Sequence, residues 1–134
     1  MWYLDTSAFL KLIVSEEETE AMRDFVAEVG DMWSSQLLVT ESLRGAARLG
    51  IDGSRVIEAL DTVSLVMPGA ETFFTAGELG PSLLRSLDAI HLATALELGS
   101  DLNGMVTYDV RQREACVHHG IEWVTPGGMN KGAL

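Results

Sequence analysis

The sequence predicts an α/β fold: one domain in three α/β/α layers, with a central, mostly parallel five-stranded sheet flanked by helices. Three observations predict it. Short apolar runs alternate with segments of helical period along the whole chain. Several helical segments open on a polar cap, as at Ser15 and Ser54, or close on a glycine, as at Gly30, Gly50 and Gly99. A length of 134 residues, 47% of them hydrophobic, fits one domain with a single core.

The elements follow in order. Trp2-Tyr3-Leu4 is an apolar run leading into Asp5, and Ala8 to Val14 reads as the first helix. Ser15 followed by Glu16, Glu17 and Glu18 is a helix start with acids in its first turn. Ala21, Met22, Phe25, Val26 and Val29 carry the period, and Gly30 stops it. Met32-Trp33-Ser34 is a second strand, and Gln36 to Leu49 a third helix ending at Gly50. Ser54 to Thr62 is a short helix, Val63 to Val66 a strand, and Ala70 to Gly77 another short helix. Glu78 to Ser86, with Gly80 and Pro81, reads as a loop. Leu87 to Leu98 is a strongly periodic helix ended by Gly99. Met105 to Tyr108 is a strand, Val110 to His119 a helix and Ile121 to Val124 the last strand. Residues 125–134, with Pro126-Gly127-Gly128, read as a loose C-terminal tail. No repeat or linker marks a second domain.

Composition narrows the function. No apolar run approaches the roughly 20 residues that span a bilayer, and the N-terminus meets an acid at once, unlike a secretory signal. The single cysteine, Cys116, cannot form an internal disulfide, which fits a cytoplasmic location. The formal net charge is −11, from 20 acidic and nine basic residues, and argues against non-specific binding of a polyanion. Some of that acid is solubilising surface. The rest can be concentrated where a cation reverses the local sign.

Four acids stand at hinges of the pattern: Asp5, Glu41, Asp88 and Asp109. Each has a plain structural reading. Asp5 and Asp109 are favoured helix caps, Asp88 suits a first helical turn, and Glu41 shares a polar face with Arg44 and Arg48, where an i,i+3 pair with Arg44 would be solvated. Together they say more. Asp5 and Asp109 both follow strands, so in a parallel sheet both lie on the carboxyl edge, where ligand sites gather. Carboxylates meeting there would repel one another unless a divalent cation joined them, and that arrangement serves phosphodiester hydrolysis. Thr6, Ser7 and Thr107 place hydroxyls beside the carboxylates, able to donate to them or to metal-bound water; plain capping is the other reading.

These residues carry a family likeness. Asp5-Thr6-Ser7-Ala8, Glu41-Ser42, the segment Leu87-Asp88-Ala89-Ile90-His91-Leu92-Ala93-Thr94-Ala95, and Thr107-Tyr108-Asp109 followed by Arg111-Gln112-Arg113-Glu114-Ala115 resemble, in order and spacing, the motifs of PIN-domain ribonucleases of the VapC toxin type. The likeness runs from Trp2 to about Val124. It implies a PIN-like fold and the toxin of a type II toxin–antitoxin pair. It also implies a Mg²⁺-dependent endoribonuclease cleaving structured RNA of the tRNA or rRNA class, a cognate antitoxin that blocks the cleft, and a homodimer. Mn²⁺ is a plausible substitute ion.

Within that expectation Asp5 and Asp109 are the central metal ligands and catalytic acids, with Asp88 close by and Glu41 holding a metal-bound water or a second ion. Water attack would leave a 5′-phosphate and a 3′-hydroxyl. Arg85, Arg44, Arg48, Lys11 and Arg111 are candidates for phosphate contact, Arg85 foremost, because it precedes Asp88. His91 is read as a packed or hydrogen-bonded histidine rather than a general base, and a metal role is not expected for His118 or His119. The rivals are a metal-dependent phosphatase or DNA nuclease, and a catalytically silent PIN-like binding protein. Ser7 stands where a haloacid-type phosphatase needs its second aspartate. A nucleotide-binding module lacks a Gly-rich loop, and a serine hydrolase lacks its elbow.

Overall fold

The computed structural model describes residues 1–128. Five strands form one sheet: β1 (Trp2–Leu4), β2 (Met32–Ser35), β3 (Ser64–Val66), β4 (Gly104–Val106) and β5 (Trp123–Val124). Every pairing is parallel, in the order β3-β2-β1-β4-β5. The "mostly parallel" expectation is thus met by a wholly parallel sheet. The helices are α1 (Thr6–Leu10), α2 (Thr19–Val29), α3 (Leu37–Arg48), α4 (Gly53–Leu60), α5 (Ala70–Glu78), α6 (Ser86–Glu97) and α7 (Val110–His118). A 3-10 turn at Gly99–Asp101 was not expected from the sequence.

The alternation of side chains along β1 and β4 divides the interior. Leu4 and Val106 face a cluster with Ala8, Phe9, Ile13, Met22, Leu38, Ala46 and Val56, contributed by α1 to α4 and the turn after α1. Tyr3 and Met105 face the opposite layer, with Leu92 and Ala95 of α6 and Ala115 and Cys116 of α7. Helices therefore cover both faces. Burial pushes the Cys116 thiol up to about 12, so it behaves as an apolar core side chain.

Boundaries shift for local reasons. The first helix begins at Thr6 rather than Ala8, because the Asp5 carboxylate accepts from Ala8 N and caps it two residues early. Gly30 closes α2 in the left-handed region at φ 74°, as a C-terminal glycine can without strain. β4 starts at Gly104, which sits so tightly against β5 that an added Cβ would come within 2.7 Å of the Glu122 carbonyl oxygen and of the Trp2 ring. Of the expected loose tail, residues 129–134 lie outside the described residues. Residues 125–128 are anchored: Thr125 is buried and donates to the Thr107 carbonyl at 2.8 Å, and the Tyr108 hydroxyl donates to the Pro126 carbonyl at 2.7 Å.

What the fold does for function follows from its strand order. The chain leaves β1 in one direction for β2 and β3, then returns to place β4 on the other side of β1. The carboxyl ends of β1 and β4 are thus a topological switch point, where an open α/β sheet leaves a crevice.

Candidate active site

Asp5 lies one residue beyond β1 and is 2% exposed. Its Oδ1 accepts from Ser7 Oγ at 2.6 Å and from Ala8 N at 3.1 Å, and its Oδ2 accepts from Thr107 Oγ1 at 2.5 Å. Burial raises its pKa above the ordinary carboxylate value, and the Ser7 and Thr107 donors oppose that rise. Thr107 also accepts from the backbone N–H of Asp109 at 3.1 Å. A single hydroxyl therefore connects the first acid to the last.

Asp109 follows β4 after two intervening residues and caps α7, with Oδ1 accepting from Arg111 N at 2.8 Å and Gln112 N at 3.4 Å. Asp88 sits in the first turn of α6. Burial raises its pKa, the neighbouring Asp109 charge raises it further, and Arg85 opposes both. Arg85 bridges the pair, with Nε 3.4 Å from Asp88 Oδ2 and Nη2 3.3 Å from Asp109 Oδ2. The Gln112 amide donates to the Asp88 carbonyl at 3.1 Å and ties α7 to α6 beneath them.

Glu41 comes from the middle of α3. It does not pair with Arg44, as a solvated helix face would have it. Its Oε1 accepts from His91 Nε2 at 2.6 Å and from Thr6 Oγ1 at 2.8 Å. Burial works against its charge, but the His91 bond and charge and the Thr6 hydroxyl together hold its pKa below the ordinary glutamate value. A cleft of about 330 Å³ is lined by Glu41, Arg85, Ser86, Leu87 and Asp88.

Asp5, Thr6, Ser7, Glu41, Arg85, Asp88, Thr107 and Asp109 are therefore brought together at the switch point through shared hydrogen bonds and ion pairs. The remaining expected phosphate contacts are not among them. Lys11 is committed to Glu16 and Glu18 at 3.2 and 3.1 Å and lies over the Tyr108 ring, so its ammonium is already neutralised. Arg44, Arg48 and Arg111 are exposed on helices α3 and α7. His91, expected as a packed or hydrogen-bonded histidine, and Tyr3, expected only as part of an apolar strand, are linked to Glu41, with Tyr3 Oη 2.6 Å from His91 Nδ1 and His91 Nε2 2.6 Å from Glu41 Oε1. Their apolar flanks hid that link, since the contact with Glu41 spans 50 residues of sequence.

The donor chemistry is all oxygen and suits a hard divalent cation such as Mg²⁺ or Mn²⁺. Asp88 and Asp109 already share one cation, the Arg85 guanidinium. As the side chains stand, no three Asp, Glu, His or Cys groups among the described residues are gathered closely enough to hold one ion.

The PIN domain family model matches residues 2–118. Ribonuclease VapC47 of Mycobacterium tuberculosis is 38% identical over 138 residues, covering 96% of this chain and 99% of the relative. Among solved structures, the Mycobacterium tuberculosis sarcin-ricin loop cleaving toxin VapC20 superposes with a TM-score of 0.76 at 18% identity, covering 94% of this chain and 100% of that one. A toxin–antitoxin complex from Klebsiella pneumoniae superposes with a TM-score of 0.70 at 23% identity, covering 94% of this chain and 98% of that one. These two share the fold.

Proposed function

This chain belongs to the PIN-domain family, and from that membership we propose that it is a VapC-type endoribonuclease, the toxin of a toxin–antitoxin pair, cleaving structured RNA at the switch-point acids. The observation that carries the reading is the linkage of Asp5, Asp88 and Asp109, from three distant segments, through Thr107 and Arg85. A 38% identical relative covering 96% of the chain is named a ribonuclease, which supports the same class of reaction.

In this reading Asp5, Asp88 and Asp109, with Glu41 beside them, would hold Mg²⁺ or Mn²⁺. Bound there, the cation would activate water for attack on phosphorus and neutralise charge on the leaving oxygen. The protein's own groups prepare the site. Ser7 and Thr107 fix both oxygens of Asp5, and Thr6 and His91 fix Glu41. Burial raises the pKa of Asp5, and burial with the Asp109 charge raises that of Asp88, so a cation bound beside them would favour the ionised forms. Arg85 is 63% exposed at the mouth and can turn from the acids to an RNA phosphate.

A cognate antitoxin that places a basic side chain against these acids would compete for the same charge, as Arg85 does within the chain. Assembly as a homodimer and residence in the cytoplasm belong to the same proposal. No helix among the described residues is long and apolar enough to cross a membrane.

The test is to incubate the purified protein with total cellular RNA, with and without Mg²⁺, and to map the 5′ ends. Discrete cuts bearing 5′-phosphates are expected with the metal, and none from the Asp5→Ala protein. Equal cutting by that variant, or cutting that survives chelation, overturns the assignment.

A further inference from the structure

We infer that His91, braced by Tyr3, is a positioning residue that aims the Glu41 carboxylate into the cleft. The inference rests on the nuclease reading of the acid cluster and extends it to groups outside the acids themselves. Four elements contribute: Tyr3 from β1, Thr6 from α1, Glu41 from α3 and His91 from α6.

The geometry is closed at every step. The His91 side chain is 1% exposed, and both ring nitrogens are engaged at 2.6 Å, Nδ1 with Tyr3 Oη and Nε2 with Glu41 Oε1. Thr6 Oγ1 lies 2.8 Å from the same carboxylate oxygen and 3.3 Å from Nε2. An ionised carboxylate only accepts, so the proton shared with Glu41 is on Nε2. Tyr3 adapts to whatever Nδ1 needs, because a hydroxyl can give or accept. Its phenol is held neutral by burial, which pushes its pKa far up. The Tyr3 ring also meets the imidazole edge-on at 5.7 Å and fixes its plane.

An apolar side chain of similar size would fill this space without desolvating two ring nitrogens. What the imidazole supplies, and an apolar side chain would not, is a second donor directed at Oε1 beside Thr6. Both bonds to Glu41 fall on that oxygen, so they set the direction of the other one. Glu41 lines the cleft beside Asp88, where a carboxylate swinging freely on a helix would contribute little to a shared ion.

The experiment measures Mn²⁺ binding to the metal-free full chain by electron paramagnetic resonance titration, alongside thermal melts, for wild type, His91→Leu, His91→Gln and Tyr3→Phe. His91→Leu is expected to bind Mn²⁺ roughly 10–100-fold more weakly, the usual loss when a carboxylate ligand's hydrogen-bond partner is removed. His91→Gln should recover most of it, since its amide can donate to Glu41 and accept from Tyr3. In a Glu41→Gln background the His91→Leu loss should vanish. A folded His91→Leu protein that binds within twofold of wild type overturns the positioning role and leaves the nuclease reading intact. If His91→Leu does not fold, Tyr3→Phe decides: weaker binding supports the role, and unchanged binding overturns it. A wild-type chain with no Mn²⁺ affinity overturns both readings.

Discussion

Thr107 and Asp5, 102 residues apart in sequence, are joined by a hydroxyl-to-carboxylate hydrogen bond. The bond ties the ends of β1 and β4 at the switch point. Because Thr107 also receives the Asp109 N–H, one side chain sets the spacing of two acids. Thr107→Val keeps the shape and removes the hydroxyl. Asp5 then remains buried with one donor fewer, which should cost about 1–3 kcal/mol in urea denaturation. RNA cleavage in Mg²⁺ should fall at least about tenfold. Wild-type stability and rate together would show that the bond is incidental.

The acids also predict an unusual pH response. Burial raises the pKa of Asp5, and burial with the Asp109 charge raises that of Asp88. Between the ordinary value of 3.8 and the raised ones, the folded protein keeps protons that the unfolded chain has released. Metal-free protein should therefore gain stability as pH falls from neutrality into that window and lose it as pH rises. Glu41, shifted the other way, costs stability only below its ordinary 4.5. The Tm measured in chelator should rise on mild acidification, and Asp88→Asn should flatten the slope. Saturating Mg²⁺ should remove the rise, since the ion favours the ionised acids. A wild-type Tm that falls steadily from neutrality would contradict the assigned shifts.

Most of the architecture was legible because the strands are short, largely apolar runs and several helices carry their own stop, as Gly30, Gly50 and Gly99 do; the first helix has none, and it ends at Leu10 rather than Val14. Asp5 and Asp109 could be placed on one edge from their positions after strands. Glu41 could be nominated but not oriented, since its partners Thr6 and His91 lie 35 and 50 residues away in sequence. The start of β4 was missed because glycine usually breaks strands, whereas here the closeness of Glu122 and Trp2 demands it. The ion pairs of Lys11 were hidden for a related reason. Its neutralising acids, Glu16 and Glu18, were assigned to a helix of their own, but α2 begins only at Thr19, and the preceding turn brings them back onto the lysine.

Gly104→Ala isolates fold from function. The added methyl would meet the Glu122 backbone oxygen and the Trp2 ring, each at 2.7 Å, and the backbone atom cannot turn aside. Overpacking of this kind costs about 1–3 kcal/mol. The expected result is a lower urea midpoint with little change in cleavage rate well below the melting temperature. An unchanged midpoint would mean that β4 and β5 sit further apart than the structure has them.

Lys11 should matter to the fold and not to the substrate. Its ammonium is held by two glutamates and its side chain is 14% exposed against Tyr108. Lys11→Ala is expected to lower stability by about 1 kcal/mol, near the upper end for a partly exposed ion pair. RNA affinity, measured with the inactive Asp5→Ala chain as background, should stay within twofold. A large loss of affinity would return Lys11 to the phosphate contacts.

Arg85 gives the sharpest separation of metal from substrate. It pairs with Asp88 and Asp109 at 3.4 and 3.3 Å, so within the protein it occupies the acids that a cation would use. At 63% exposure the pairing is weak, up to about 1 kcal/mol, or roughly fivefold in an equilibrium. Arg85→Ala should then bind Mn²⁺ up to about fivefold more tightly. The same change removes the positive group nearest the acids, so KM for RNA should rise while kcat at saturating metal changes little. Arg85→Lys should restore part of the RNA affinity, as a point charge without the two-pronged fit. Metal affinity and KM moving in opposite directions is the signature of one side chain serving the acids and the phosphate in turn. A variant in which both worsen would instead make Arg85 a structural support for Asp88 and Asp109.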